Sequence, residues 1–156
     1  MRPETRTIRD DLSGELHPTQ STKFLLIMCH GYQSSTAHPA LVALTKALCS
    51  KGYAMFTFNF SGKDPLDLAR QSIDIGDIAE NFASEYSQII LVAGSFGALS
   101  CSLAARHQNI AGLVTINGFF GAGLLGRQYK PTFLIFKALS AIIPRRKRIW
   151  DFYQRN

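Results

Sequence analysis

The sequence predicts an α/β fold built on a mostly parallel, doubly wound sheet. Apolar runs of strand length alternate with longer segments of helical periodicity. Two of those runs, Phe24 to Cys29 and Ile89 to Ala93, are apolar throughout, as in strands covered on both faces. The turns rich in polar and small residues, His30-Gly31-Tyr32, Gly94-Ser95-Phe96-Gly97 and Asn117-Gly118, all follow strands. Sites in open α/β sheets form at those carboxyl ends.

Taken in order, Thr5 to Arg9 and Leu12 to His17 flank Asp10-Asp11 and read as a short hairpin at the sheet edge. Pro18 to Thr22 is a polar loop, and Phe24 to Cys29 is a buried strand. After the loop His30 to Thr36, a helix runs from His38 or Pro39 to Lys51, with Leu41, Leu44 and Leu48 on one face. Pro39 suits its first turn and Gly52 its stop. Tyr53 to Phe60 is a strand with Ala54, Phe56, Phe58 and Phe60 alternating, closed by the turn Ser61 to Pro65. A helix follows from Ile73 to Tyr86, with Ile75, Ile78 and Phe82 on one face and Asp74 and Asp77 near its start. Strand Ile89 to Ala93 leads into a helix carrying His107 about three turns along. Ile110 to Asn117 is the next strand, and Gly118 to Gly126 a glycine-rich loop. Pro131 to Ile143 is an apolar helix stopped by Pro144. Two domains are expected: a core over residues 1–126 and a basic helical tail over residues 127–156.

The chain has 156 residues and a formal charge of +6. After residue 126, eight basic side chains face the single acid Asp151, while the preceding residues are nearly balanced. A nearly neutral body argues against a nucleic-acid partner. No run reaches the ~18 apolar residues of a membrane span, and the N-terminus lacks the apolar stretch of a signal peptide. Cys29, Cys49 and Cys101 match no metal or redox spacing, so reduced core thiols and a cytoplasmic location are expected.

Around Ser95 the residues Ala93-Gly94-Ser95-Phe96-Gly97 fit a nucleophile elbow with Ala in the first small position. Small neighbours let strand and helix approach, and the first helix amides favour negative charge near the serine hydroxyl. On this pattern alone Ser95 is either a nucleophile or the cap of an ordinary βα turn.

With His30-Gly31-Tyr32 about sixty residues before that elbow, the chain resembles the α/β-hydrolases, specifically the branch of small esterases and serine aminopeptidase-like enzymes. Phe58-Asn59-Phe60-Ser61-Gly62 resembles that branch's Phe-Asp-x-x-Gly turn, with Asn59 in place of Asp. Leu12 to Leu16 resembles its opening hairpin. The resemblance runs to about Gly121. It implies Ser95 as nucleophile and the backbone amides of Tyr32 and Phe96 as oxyanion donors. His30 and Gly31 would orient the oxyanion loop, and Ala93, Gly94 and Gly97 would shape the elbow. The implied substrate is a small ester, amide or thioester. No cofactor and no metal is implied; Asp64, Asp67, Asp74 and Asp77 read as helix-start and surface charges.

Acyl transfer by serine also needs a base and an acid to orient it, which in this fold follow the serine in the chain. After Ser95 stand only His107, carried away from the strand ends, and Asp151. The tail resembles the start of a cap region, as in a hydrolase ending before its last two strands. The sequence is then a fragment, a chain completed by another chain, or a natural short form. Weak turnover or none is expected. The alternative is a non-catalytic binding or dimerisation module that pairs through the edge strand 110–116. A lesser expectation is contact with an anionic membrane surface through Arg145 to Arg148.

Overall fold

A computed structural model describes residues 2–118. The elements are β1 (Glu4–Arg9), β2 (Leu12–His17), β3 (Phe24–Cys29), α1 (Pro39–Ser50), β4 (Ala54–Phe58), α2 (Leu68–Phe82), β5 (Gln88–Gly94), α3 (Gly97–Ala104) and β6 (Ile110–Ile116). The strands form one sheet in the order β1-β2-β4-β3-β5-β6. β4, β3, β5 and β6 run parallel, and the hairpin β1-β2 adds to β4 antiparallel.

Helices cover both faces. On one side α2 sends Ile75, Ile78, Ala79 and Phe82, and α3 sends Ala98, Cys101 and Ala104, against Leu25, Ile27, Phe56, Phe58 and Leu91. On the other, Leu41, Leu44 and Leu48 of α1 pack on Leu26, Met28, Met55 and Val92. Two-sided cover explains why all five residues of β4 are buried, although only the alternating set drew notice in the sequence. Thr57, amid that strand, is buried as well. At the outer edge Val114 and Ile116 are 52% and 45% exposed.

Three sequence expectations need correction. Helix α2 begins at Leu68 rather than Ile73, because Asp67 caps it by accepting from the Arg70 amide at 2.9 Å. Helix α3 ends at Ala104, and His107 lies past it in a turn, its amide donating to Ala104 O at 2.8 Å. Asp74 is fully buried, not a surface charge. The loop after Gly118, the helix Pro131 to Ile143, the basic run Arg145 to Arg148 and the domain boundary at residue 126 lie outside the described residues. No helix among the described residues is long and apolar enough to cross a membrane.

Candidate functional site

Among the described residues three that are not glycine have positive φ: Gln33 at 50°, Ser95 at 49° and Asn117 at 53°. They follow β3, β5 and β6 respectively, so all of them gather at the carboxyl edge of the parallel sheet. Such backbone strain costs about 1–3 kcal/mol per residue and concentrates where chemistry or binding needs a fixed geometry. Ser95 stands between strand and helix, in neither. Its amide donates to Ile116 O at 3.1 Å, and its carbonyl accepts from Ala98 N at 3.2 Å. The bend is thereby tied to β6 on one side and to the first turn of α3 on the other.

The loop after β3 closes on this bend. A methyl group placed at Gly97 would sit 2.4 Å from His30 O and 2.9 Å from Cys29 O, so only glycine permits the approach. At Gly31 the same methyl would lie 3.2 Å from Ser95 Cβ, 3.2 Å from Gly94 O and 3.5 Å from Phe96 N. The rings of Tyr32 and Phe96 meet edge to face at 5.9 Å. Residues 30–32 and 94–97 thus form one packed constellation, and the small residues Gly31, Gly94 and Gly97 lie at its contacts.

The histidines are dispersed. His30 Nδ1 lies 3.0 Å from Gly31 O, and because a carbonyl only accepts, that nitrogen carries the proton. Its Nε2 is buried without a hydrogen-bond partner among the described residues, and the ring packs on Phe60 at 5.0 Å. Burial lowers the His30 pKa from its ordinary value, against the opposing hydrogen bond to Gly31, so the ring is held neutral. His38 caps α1, its Nδ1 accepting from the Ala40 amide at 3.3 Å. His17 lies in β2, 3.8 Å from Glu15. His107 accepts from the Asn109 amide at 3.4 Å and lies beside Gly76 of α2, in the turn leading into the start of β6. That turn is at the end of the sheet opposite Ser95.

Beside the constellation opens a cavity of about 260 Å³, bounded by the loop of residues 30–35, by Asn59 to Pro65, and by Phe96. Asn59 uses its Oδ1 to accept from the Thr36 amide at 2.9 Å. Behind the cavity wall, Asp74 accepts from Ser61 N and Ser61 Oγ, both at 2.9 Å, and pairs with Arg9 and, at 3.5 Å, with Arg70. Arg9 also reaches Asp11 and Asp77, and Arg70 reaches Asp11. Burial works against the Arg9 charge, but the hydrogen bonds and fields of Asp74 and Asp11 outweigh it and raise its pKa. Gln71 accepts from Ser100 of α3 and donates to Pro65 O at 3.0 Å.

Nothing in the sequence alone marks Asn59, Lys63, Gln71 and Asp74 as residues that form this cavity and its support. The nearest signal was a polar side chain at 74, one residue before the apolar Ile75 of a helix whose apolar residues should face the core. Below the elbow, Cys29 and Cys101 are both fully buried; burial first, and contact with Cys101 second, push the Cys29 thiol well up. Cys29, Cys49 and Cys101 are all free thiols. Among the described residues no cluster of three or more His, Cys, Asp or Glu could hold a metal.

No family model matches the sequence, and no curated relative does. Solved structures do share its fold. A dienelactone hydrolase from Anabaena variabilis superposes with a TM-score of 0.64 at 14% identity, over 76% of this chain and 65% of that one. The α/β hydrolase GrgF from Penicillium gives 0.69 at 17%, over 89% and 53%. An esterase from Pyrococcus furiosus gives 0.60 at 21%, over 71% and 49%. The chain therefore spans about half to two thirds of the length of these structures. Sheet order, crossovers and these neighbours together establish that the chain has the α/β-hydrolase fold.

Proposed function

We propose that this chain carries the nucleophile half of a serine hydrolase acting on a small ester, amide or thioester. Ser95 is the nucleophile, and the backbone amides of Tyr32 and Phe96 receive the oxyanion. The observation that carries this reading is the left-handed backbone of Ser95 at the β5–α3 bend, with Gly31 packed against it. A serine used only to cap a helix needs no such strain; cap residues have extended backbone. In the reaction Ser95 Oγ adds to the carbonyl carbon, the oxygen charge is met by the two amides, and the leaving group departs to give an acyl-serine.

The hydroxyl proton needs an acceptor, and none of the four described histidines stands where one is required. His30 donates through Nδ1 to Gly31 O and buries its unprotonated Nε2 with the ring packed on Phe60 and no hydrogen bond to Ser95, and His107 is at the opposite end of the sheet. The isolated chain should therefore turn over very slowly or not at all, with residual rate from the oxyanion donors alone. Three free thiols favour a reducing compartment such as the cytoplasm.

A fluorophosphonate probe tests the assignment, because Ser95 Oγ would displace fluoride from phosphorus and retain the label. Expected is one labelled site, mapped to Ser95 and absent in Ser95→Ala. A folded chain that stays unlabelled at Ser95 removes the nucleophile.

A second reading, a non-catalytic module that associates through its sheet edge, is favoured by β6. It is the outer described strand, and it exposes Val114 and Ile116.

A further inference from the structure

We propose that the cavity beside Ser95 accepts a substrate arm bearing a carboxylate, and that Lys63 is the residue that recognises it. The assignment of the cavity's reactive end rests on the reading of Ser95 given above; the anion site itself rests on the following observations. Gly31, Tyr32 and Phe96, which pack around the Ser95 bend, line the same cavity as Asn59, Lys63 and Pro65. Lys63 is the sole charged side chain among the described lining residues, and no carboxylate is among them. Asn59 spends its Oδ1 on the Thr36 amide, leaving its Nδ2 as a donor. His30, in the same wall, is neutral. The lining thus offers a cation and a neutral donor with no acid to oppose an incoming anion.

The segment bearing Lys63 is also held on both sides. Asp74, fully buried, accepts from the Ser61 amide at 2.9 Å. Gln71, 5% exposed, donates to Pro65 O at 3.0 Å. The neighbouring acid, Asp64, turns its Oδ1 to the Leu66 amide at 2.8 Å. Two buried polar side chains of α2 are thereby committed to fixing five residues of backbone around an exposed lysine. Only the flexible end of Lys63 has to be ordered on binding, which lowers the entropic cost of capture. At about 260 Å³ the cavity falls just under the ~300–1,000 Å³ of drug-sized pockets, so the arm it takes is short.

The test uses the full chain with glutarate as anion and glutaramide as its uncharged counterpart, measured by titration calorimetry or by NMR. Glutarate should bind, more weakly as salt rises, and glutaramide should bind roughly two- to fivefold less tightly, as one partly screened ion pair allows. Lys63→Met should weaken glutarate by a similar factor, and Lys63→Arg should restore it. Equal binding of the two compounds, salt-independent binding, or no effect of Lys63→Met overturns the proposal; the first two readings use the unmodified chain and do not depend on how a variant folds. Fluorophosphonate labelling is scored separately. Glutarate bound through Lys63 without labelling of Ser95 keeps the anion site and removes the serine chemistry. Labelling without glutarate binding removes the anion site.

Discussion

Ser95 holds a backbone conformation that glycine adopts at lower cost. Ser95→Gly should therefore be more stable than Ser95→Ala by about 1 kcal/mol in denaturant unfolding, while both lose the label. Gly97 and Gly31 separate stability from geometry. Gly97→Ala drives a methyl into two backbone carbonyls, and a loss of about 2–3 kcal/mol is expected. Gly31→Ala meets its neighbours at 3.2 Å, a fit that shifts of a few tenths of an ångström relieve. It should cost little stability and yet slow labelling of Ser95 several-fold, because the yielding atoms include Ser95 Cβ. His30 adds a pH dependence. Unfolded, it takes up a proton near its ordinary pKa of 6.5; folded, burial holds that proton off to lower pH. The unfolded state then binds more protons, so stability falls as pH drops through about 6.5, and the loss stops growing below the folded pKa. Urea unfolding at pH 7.5 and 5.5 should show the fall, and His30→Asn should reduce it. At this scale Ser95 and its flanking glycines were legible, because a cramped bend demands small residues. The protonation of His30 was not, since it depends on which carbonyl its ring meets.

Among the elements, α2 departs furthest from its sequence pattern. Ile75, Ile78 and Phe82 announced its core face and are fully buried. Its first turn was illegible because Arg70, Gln71 and Asp74 turn polar groups inward, onto Ser61, Pro65, Ser100 and Asp11. Periodicity registers apolar residues, and a buried ion network interrupts it. Breaking that network by Asp74→Ala should cost about 3 kcal/mol, since Arg9 then remains half-buried without its fully buried partner. The loop around Ser61 should loosen as well, giving faster amide exchange at Ser61, whose amide hydrogen bond to Asp74 is gone. Unchanged exchange there would show that the loop is held by other means. The hairpin β1-β2 was predicted within one residue, because two acidic turn residues between alternating runs leave little choice of register.

At the scale of the whole molecule, the α/β class followed from alternating helix and strand, and the parallel core from uninterrupted apolar runs, while the strand order came from the structure. Association could not be read in this way, since it depends on which face stays open. Val114 pairs in register with Val92, whose side is covered by α1, yet Val114 itself is 52% exposed. On the reading of an associating module, sedimentation velocity should show concentration-dependent self-association that Val114→Lys suppresses; a wild-type chain monomeric at all concentrations removes that reading. The contact at Gly97 has a consequence for motion. With a carbonyl of residue 30 occupying the space of an absent side chain, the loop that begins there and the serine bend have no slack between them at that point. A molecule in the cavity that pressed residue 30 inward would meet the start of α3 at once, beside the nucleophile.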